Sequence, residues 1–163
     1  MRSRWLPLTF GMVLALGVIL AVPTVDLSAQ SDPRIGTWKL NATKSKFNPG
    51  PPPQSLIVKV EPSGKGEKVT AEIVNADGTH TTTVYTANFD GKDYPLTGSP
   101  TADMVALKRI DANTTERTDK KGGKVATTLK RVVSQDGKTM TVTTKGTNAE
   151  GQAVNNVIVF DKQ

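Results

Sequence analysis

The stretch LIVKVEPSGKGEKVTAEIV, Leu56 to Val74, decides the fold class. Leu56, Val58 and Val60 alternate with Lys59 and Glu61, and beyond a break Val69, Ala71 and Ile73 alternate with Thr70 and Glu72. An apolar residue at every second position turns one face of an extended chain toward a core and the other toward water, the period of a half-buried strand. The break, PSGKGE from Pro62 to Glu67, carries two glycines able to take the positive φ angles of a tight reversal. Two alternating runs around such a turn predict a β-hairpin.

The same grammar continues outward. Further runs rich in Thr and Val lie at His80 to Ala87, Met104 to Ile110, Thr114 to Asp119, Val125 to Val133, Thr139 to Lys145 and Ala153 to Asp161, a composition suited to a pleated, half-buried surface. Between them sit NADGT, FDGKD, DANT, KKGGK, SQDGK and NAEGQ, and their Asp-Gly and Gly-Gly pairs are hairpin signals. Short connections make sequential strands antiparallel neighbours. The chain therefore predicts an all-β, up-and-down meander closed into a small barrel of 8–10 strands, because closure removes edges that would pair with other chains. No amphipathic helix of useful length is expected in the mature chain. FNPGPPP, Phe47 to Pro53, reads as a stiff connection across the mouth or bottom of the barrel, with a proline-rich partner ligand as the alternative.

The N-terminus has a different character. Arg2 and Arg4 precede the uncharged run LPLTFGMVLALGVILAV, Leu6 to Val22, and small residues follow at Ser28-Ala29. That order is the pattern of a secretory signal peptide over residues 1–29, with a retained membrane anchor as the rival reading. Cleavage after Ala29 would leave residues 30–163 as one domain, free in the periplasm or outside the cell and with no stable membrane anchor. The chain has no cysteine, so neither a lipid-modified N-terminus nor disulfides are available to it. Removing Arg2, Arg4 and Asp26 from the 21 basic and 15 acidic residues leaves 19 and 14, a net charge of +5.

That mild positive charge narrows the function classes. The lysines are scattered, and the six aromatics after residue 29 do not interleave with them, so the basic stripe of a nucleic-acid binder is missing. His80 is the single histidine and follows the Asp77-Gly78 turn; one histidine without cysteine leaves a transition-metal site short of ligands, and no metal or cofactor is expected. There is no G-x-S-x-G elbow and no phosphate-cradling loop, while Asp90 and Asp93 flank a turn that they are better placed to cap than to use for catalysis. A non-enzymatic protein is the expectation.

The stretch GTWKLNATKSKF, Gly36 to Phe47, holds the one tryptophan after residue 29. Its Gly36-x-Trp38 resembles the G-x-W signature of the calycin superfamily, the lipocalins and fatty-acid-binding proteins. TTLKRVVSQDGKTMTVTTKG, Thr127 to Gly146, and the terminal VFDKQ are also similar to the fatty-acid-binding family, and the whole chain looks like small secreted bacterial proteins with a lipocalin-like domain. The resemblance implies a small-molecule-binding barrel. It also marks departures: the proline-rich link stands where that family has a helix-turn-helix lid, and Ile158 and Phe160 replace the Arg and Tyr that help Arg131's counterpart hold a carboxylate.

Arg131 shares strand parity with Val125, Thr127, Leu129 and Val133. If that face is the inner one, a buried guanidinium needs a partner. Three outcomes are open: a cation-π contact on Trp38 of the kind lipocalin-like barrels use, an anchor for an acidic ligand, or an outward side chain. Trp38 itself reads as a closure plug whose indole N–H meets a carbonyl. Arg131, Trp38, Tyr85, Phe160 and Met140 are the candidate ligand-contact residues. The expected function is a monomeric, secreted or periplasmic binding protein holding a small hydrophobic or acidic ligand inside the barrel. The alternative is a filled scaffold that contacts proteins or the envelope through its loops, Tyr94 to Pro100 above all.

Overall fold

The computed structural model describes residues 32–148 and 150–163, so the expected leader at 1–29 lies outside the described residues. Ten strands form a closed antiparallel barrel: β1 (Gly36–Leu40), β2 (Ser55–Ser63), β3 (Gly66–Val74), β4 (His80–Asn88), β5 (Asp90–Thr97), β6 (Met104–Arg109), β7 (Thr114–Lys121), β8 (Lys124–Val133), β9 (Thr139–Thr147) and β10 (Ala153–Lys162). Each strand pairs with the next in sequence, and β1 closes the ring by pairing with both β2 and β10. The longest helical piece among the described residues is one 3-10 turn, Ala42–Lys44, capped by the Asn41 side chain. No helix among them is long and apolar enough to cross a membrane.

Leu56, Val58 and Val60 face inward opposite Ile73, Ala71 and Val69, as the alternation of Leu56 to Val74 predicts. Glycines in the Asp-Gly and Gly-Gly turns, among them Gly78, Gly122 and Gly137, take positive φ. The up-and-down order sends the β1–β2, β3–β4, β5–β6, β7–β8 and β9–β10 connections to one end, and the other turns to the end where β1 begins.

Two expectations are corrected. Tyr94 to Thr97, read as a contact loop, belongs to β5, where Leu96 is buried. Pro95 hid the strand, because a residue without an N–H cannot serve a ladder on that side; β4 and β5 accordingly pair only at Val84–Thr97 and Tyr85–Leu96. Val125 leaves the inner face. The ladder steps from Thr127 to Val125 against consecutive Asp119 and Lys120, so a β-bulge at Ala126 reverses the parity and leaves Val125 59% exposed. The proline-rich link, read as a stiff connection across the mouth or bottom of the barrel, joins β1 to β2. Lys46 and Asn48 hydrogen-bond the backbone of β10, and Gln54 N donates to Val74 O, so the link is tied to the rim at both ends.

Candidate functional site

The end of the barrel where β1 begins is sealed by the turn that precedes β1. Trp38 is fully buried and donates its indole N–H to Arg34 O at 2.8 Å. Arg34 binds Asp32, which also accepts from Arg109 at 2.6 Å. The two guanidiniums lie over the Phe89 ring, 4.5 and 4.8 Å from its centre. The cation over Trp38 is Lys162, with Nζ 5.1 Å from the ring centre and 3.1 Å from Pro33 O. Gly36 makes room for it, since a Cβ there would lie 2.8 Å from Lys162 Cε. The expected stacking of Arg131 on Trp38 is thus corrected: a lysine from β10 fills that place, and Arg131 has an anion elsewhere.

Above the plug lies a cavity of about 260 Å³. Val69, Tyr85, Met140 and Phe160 line its deep part. Leu56, Val58, Ala71 and Ile73 from β2 and β3, with Val142 and Ile158 from β9 and β10, form its apolar wall. Thr83, Ser99, Thr115, Arg117 and Arg131 bring polar groups to the same space, as do Thr144 and the Tyr85 hydroxyl. Of the five candidate contact residues, four line this cavity. Trp38 does not, being sealed below it.

Arg131 meets Glu67, which is 1% exposed on β3. Arg131 Nη2 donates to both Glu67 oxygens at 2.7 Å, its Nε donates to Thr115 Oγ1 at 3.0 Å, and Tyr85 donates its hydroxyl to Glu67 Oε1 at 2.8 Å. Arg34 Nη1 approaches the other Glu67 oxygen at 3.8 Å and is buried without a hydrogen-bond partner among the described residues. A second pair lies alongside, with Arg117 donating through Nε and Nη2 to Asp119 at 2.5 and 2.8 Å and resting 4.8 Å from the Tyr85 ring centre. Charge-assisted and bidentate contacts of this kind are what make buried ions tolerable.

The protonation states follow from this packing. Burial works against the Arg131 charge, but the Glu67 carboxylate more than offsets it, so Arg131 holds its proton beyond the ordinary range. Arg117 is likewise raised against burial by the Tyr85 oxygen and Asp119. Burial and the Glu67 charge push the Tyr85 hydroxyl well up, so it stays a neutral donor. The site offers two fixed cations and no neutral base, and among the described residues no group of three or more metal-ligating side chains exists. His80, the first residue of β4, is exposed on the outer face.

Glu67, Arg117 and Asp119 were missed in the sequence, although the signal was there. Glu67 has the parity of Val69, Ala71 and Ile73, and Arg117 and Asp119 share that of Thr115. A charge on the inner parity of a strand announces an interior ion pair.

The fold and site define a closed ten-stranded antiparallel barrel with an ion-paired, largely apolar interior cavity. No family model matches the chain, and no curated protein matches it. Among solved structures it is similar to zebrafish ileal bile acid-binding protein complexed with cholic acid, at 13% identity over 80% of this chain and 99% of that one, with a TM-score of 0.48.

Proposed function

We propose that the protein is a non-catalytic, exported binding protein that holds a small amphipathic acid inside its barrel, its leader at residues 1–29 directing it to the periplasm or outside the cell. One observation carries this reading: an apolar cavity into which Arg131 presents a guanidinium that its own carboxylate does not use up. Arg131 Nη1 has no acceptor among the described residues and is absent from the buried, unpartnered atoms, so its donors open on the cavity. The apolar wall supplies the rest of the affinity through buried area.

Calorimetric titration of residues 30–163 with decanoate and other compact acids tests this. Saturable one-to-one binding is expected, weakened at least about ten-fold, or 1.4 kcal/mol, in the charge-balanced double variant Glu67→Gln/Arg131→Met. Undiminished affinity in that variant, with the fold intact, overturns the assignment of the anchor. Export is read separately: protein recovered from the envelope or medium should begin at Gln30.

A further inference from the structure

Glu67 stands between two cations, and only one of them holds it. On the cavity side Arg131 of β8 donates to both of its oxygens at 2.7 Å. On the plug side Arg34 Nη1 stops 3.8 Å from Oε2, beyond hydrogen-bond range. That nitrogen is the one buried side-chain polar atom without a hydrogen-bond partner among the described residues. A buried donor left unmet is unfavourable, and this one is aimed at a carboxylate.

The rest of Arg34 is fixed. Its Nε and Nη2 bind Asp32, its guanidinium lies over the Phe89 ring and its carbonyl accepts the Trp38 indole N–H. Moving Arg34 to satisfy Nη1 would break those contacts. Glu67 can make the move instead. The Tyr85 hydroxyl holds Oε1, whereas Arg34 faces Oε2. A turn of the carboxylate about the Tyr85 contact carries Oε2 the roughly 1 Å that separates it from bonding distance.

What holds Glu67 back is Arg131. A ligand carboxylate on the open Arg131 donors shifts that balance in two ways. It takes up part of the guanidinium charge that attracts Glu67, and it brings a like charge beside it. Resting on the interior binding of an acid argued above, we propose that Arg34 is a positioning residue for that binding. It receives Glu67 when an acid occupies Arg131, and so ties the state of the cavity to the plug around Trp38. Arg34 does not line the cavity, so it acts on the ligand only through Glu67. Such coupling is reciprocal: a ligand that strengthens the contact between Arg34 and Glu67 is itself bound more tightly by the same factor.

Residues 30–163 titrated with decanoate test this. Arg34→Lys keeps a cation for Asp32 and withdraws the donor aimed at Glu67. Decanoate affinity should fall about five-fold, the worth of one hydrogen bond. In the Glu67→Gln/Arg131→Met background the same substitution should leave decanoate affinity unchanged, since no carboxylate remains for Arg34 to receive. Equal weakening in both backgrounds, or none in either, overturns the proposal. Decanoate should also move the Trp38 indole N–H resonance, the one tryptophan signal of residues 30–163, and Arg34→Lys should abolish that movement. If Arg34→Lys does not fold, the resonance in the unaltered protein decides. Decanoate that binds without moving it overturns the coupling and leaves interior binding standing. Failure of decanoate to bind overturns both.

Discussion

Glu67 is the residue on which the interior turns. It accepts from Arg131 and Tyr85 and lies 3.8 Å from Arg34, so removing its charge alone leaves buried cations without their anion. Glu67→Gln or Arg131→Met should each cost about 3–5 kcal/mol of unfolding free energy, whereas the double variant should cost far less, because a buried pair replaced together leaves no orphan. Urea unfolding of the four proteins decides it; simple additivity would mean that the pair is not coupled. The hydroxyl beside Glu67 gives a second test. Its raised pKa means that Tyr85 contributes stability below the ordinary tyrosine value of about 10, lost as pH rises through the higher folded value. In Tyr94→Phe, Tyr85 is the one tyrosine left, and phenolate absorbance should appear only as the protein unfolds in alkali; ionisation near pH 10 in the folded state would contradict its burial. Arg131 was legible through its motif. Its partner was not, because pairing across 64 residues depends on register, which one strand's alternation does not contain.

At the scale of elements, what was legible follows the hairpin chemistry. Runs with strict alternation and Asp-Gly or Gly-Gly turns became strands, while β5 was hidden by Pro95 and the inner face of β8 by one extra residue at Ala126. The bulge is held by Gly146 of β9, where a Cβ would lie 2.1 Å from Ala126 O and 2.7 Å from Thr127 Cα, on a backbone with φ of +149°. Gly146→Ala should therefore destabilise the barrel by more than about 3 kcal/mol, beyond the usual range for a single substitution. Gly78→Ala offers the contrast. Nothing lies within 4 Å of its Cβ position, so only the positive φ is strained, costing about 1–2 kcal/mol. Thermal unfolding of both variants measures the difference; equal losses would show that the β8–β9 contact is not tight. The consequence for the site is direct, since the bulge sets which β8 side chains, Arg131 among them, point inward.

Over the whole molecule, the hairpin turns should set the response to acid. Asp77 is held below the usual carboxylate range by the Thr79 hydroxyl and amide, and Asp90 by the Lys92 amide and the Tyr94 hydroxyl. Asp111 is lowered by the Asn113 and Thr114 amides, and Asp136 by the Ser134 hydroxyl and the Lys138 amide. A carboxylate lowered on folding contributes stability above its unfolded pKa of about 3.9, and that contribution is lost as pH falls through the folded value. Asp111 and Asp136 lie in turns, and Asp90 at the first position of β5, all at the end where β1 begins, the end plugged by Trp38. Below about pH 4 the barrel should loosen there first, with faster amide exchange around those turns than at the opposite end. Replacing the four aspartates by asparagine keeps an acceptor oxygen and removes the titration. The quadruple variant's melting temperature should then fall less between about pH 6 and pH 3 than that of the parent; an equal fall would show that these four turn carboxylates do not set the acid response.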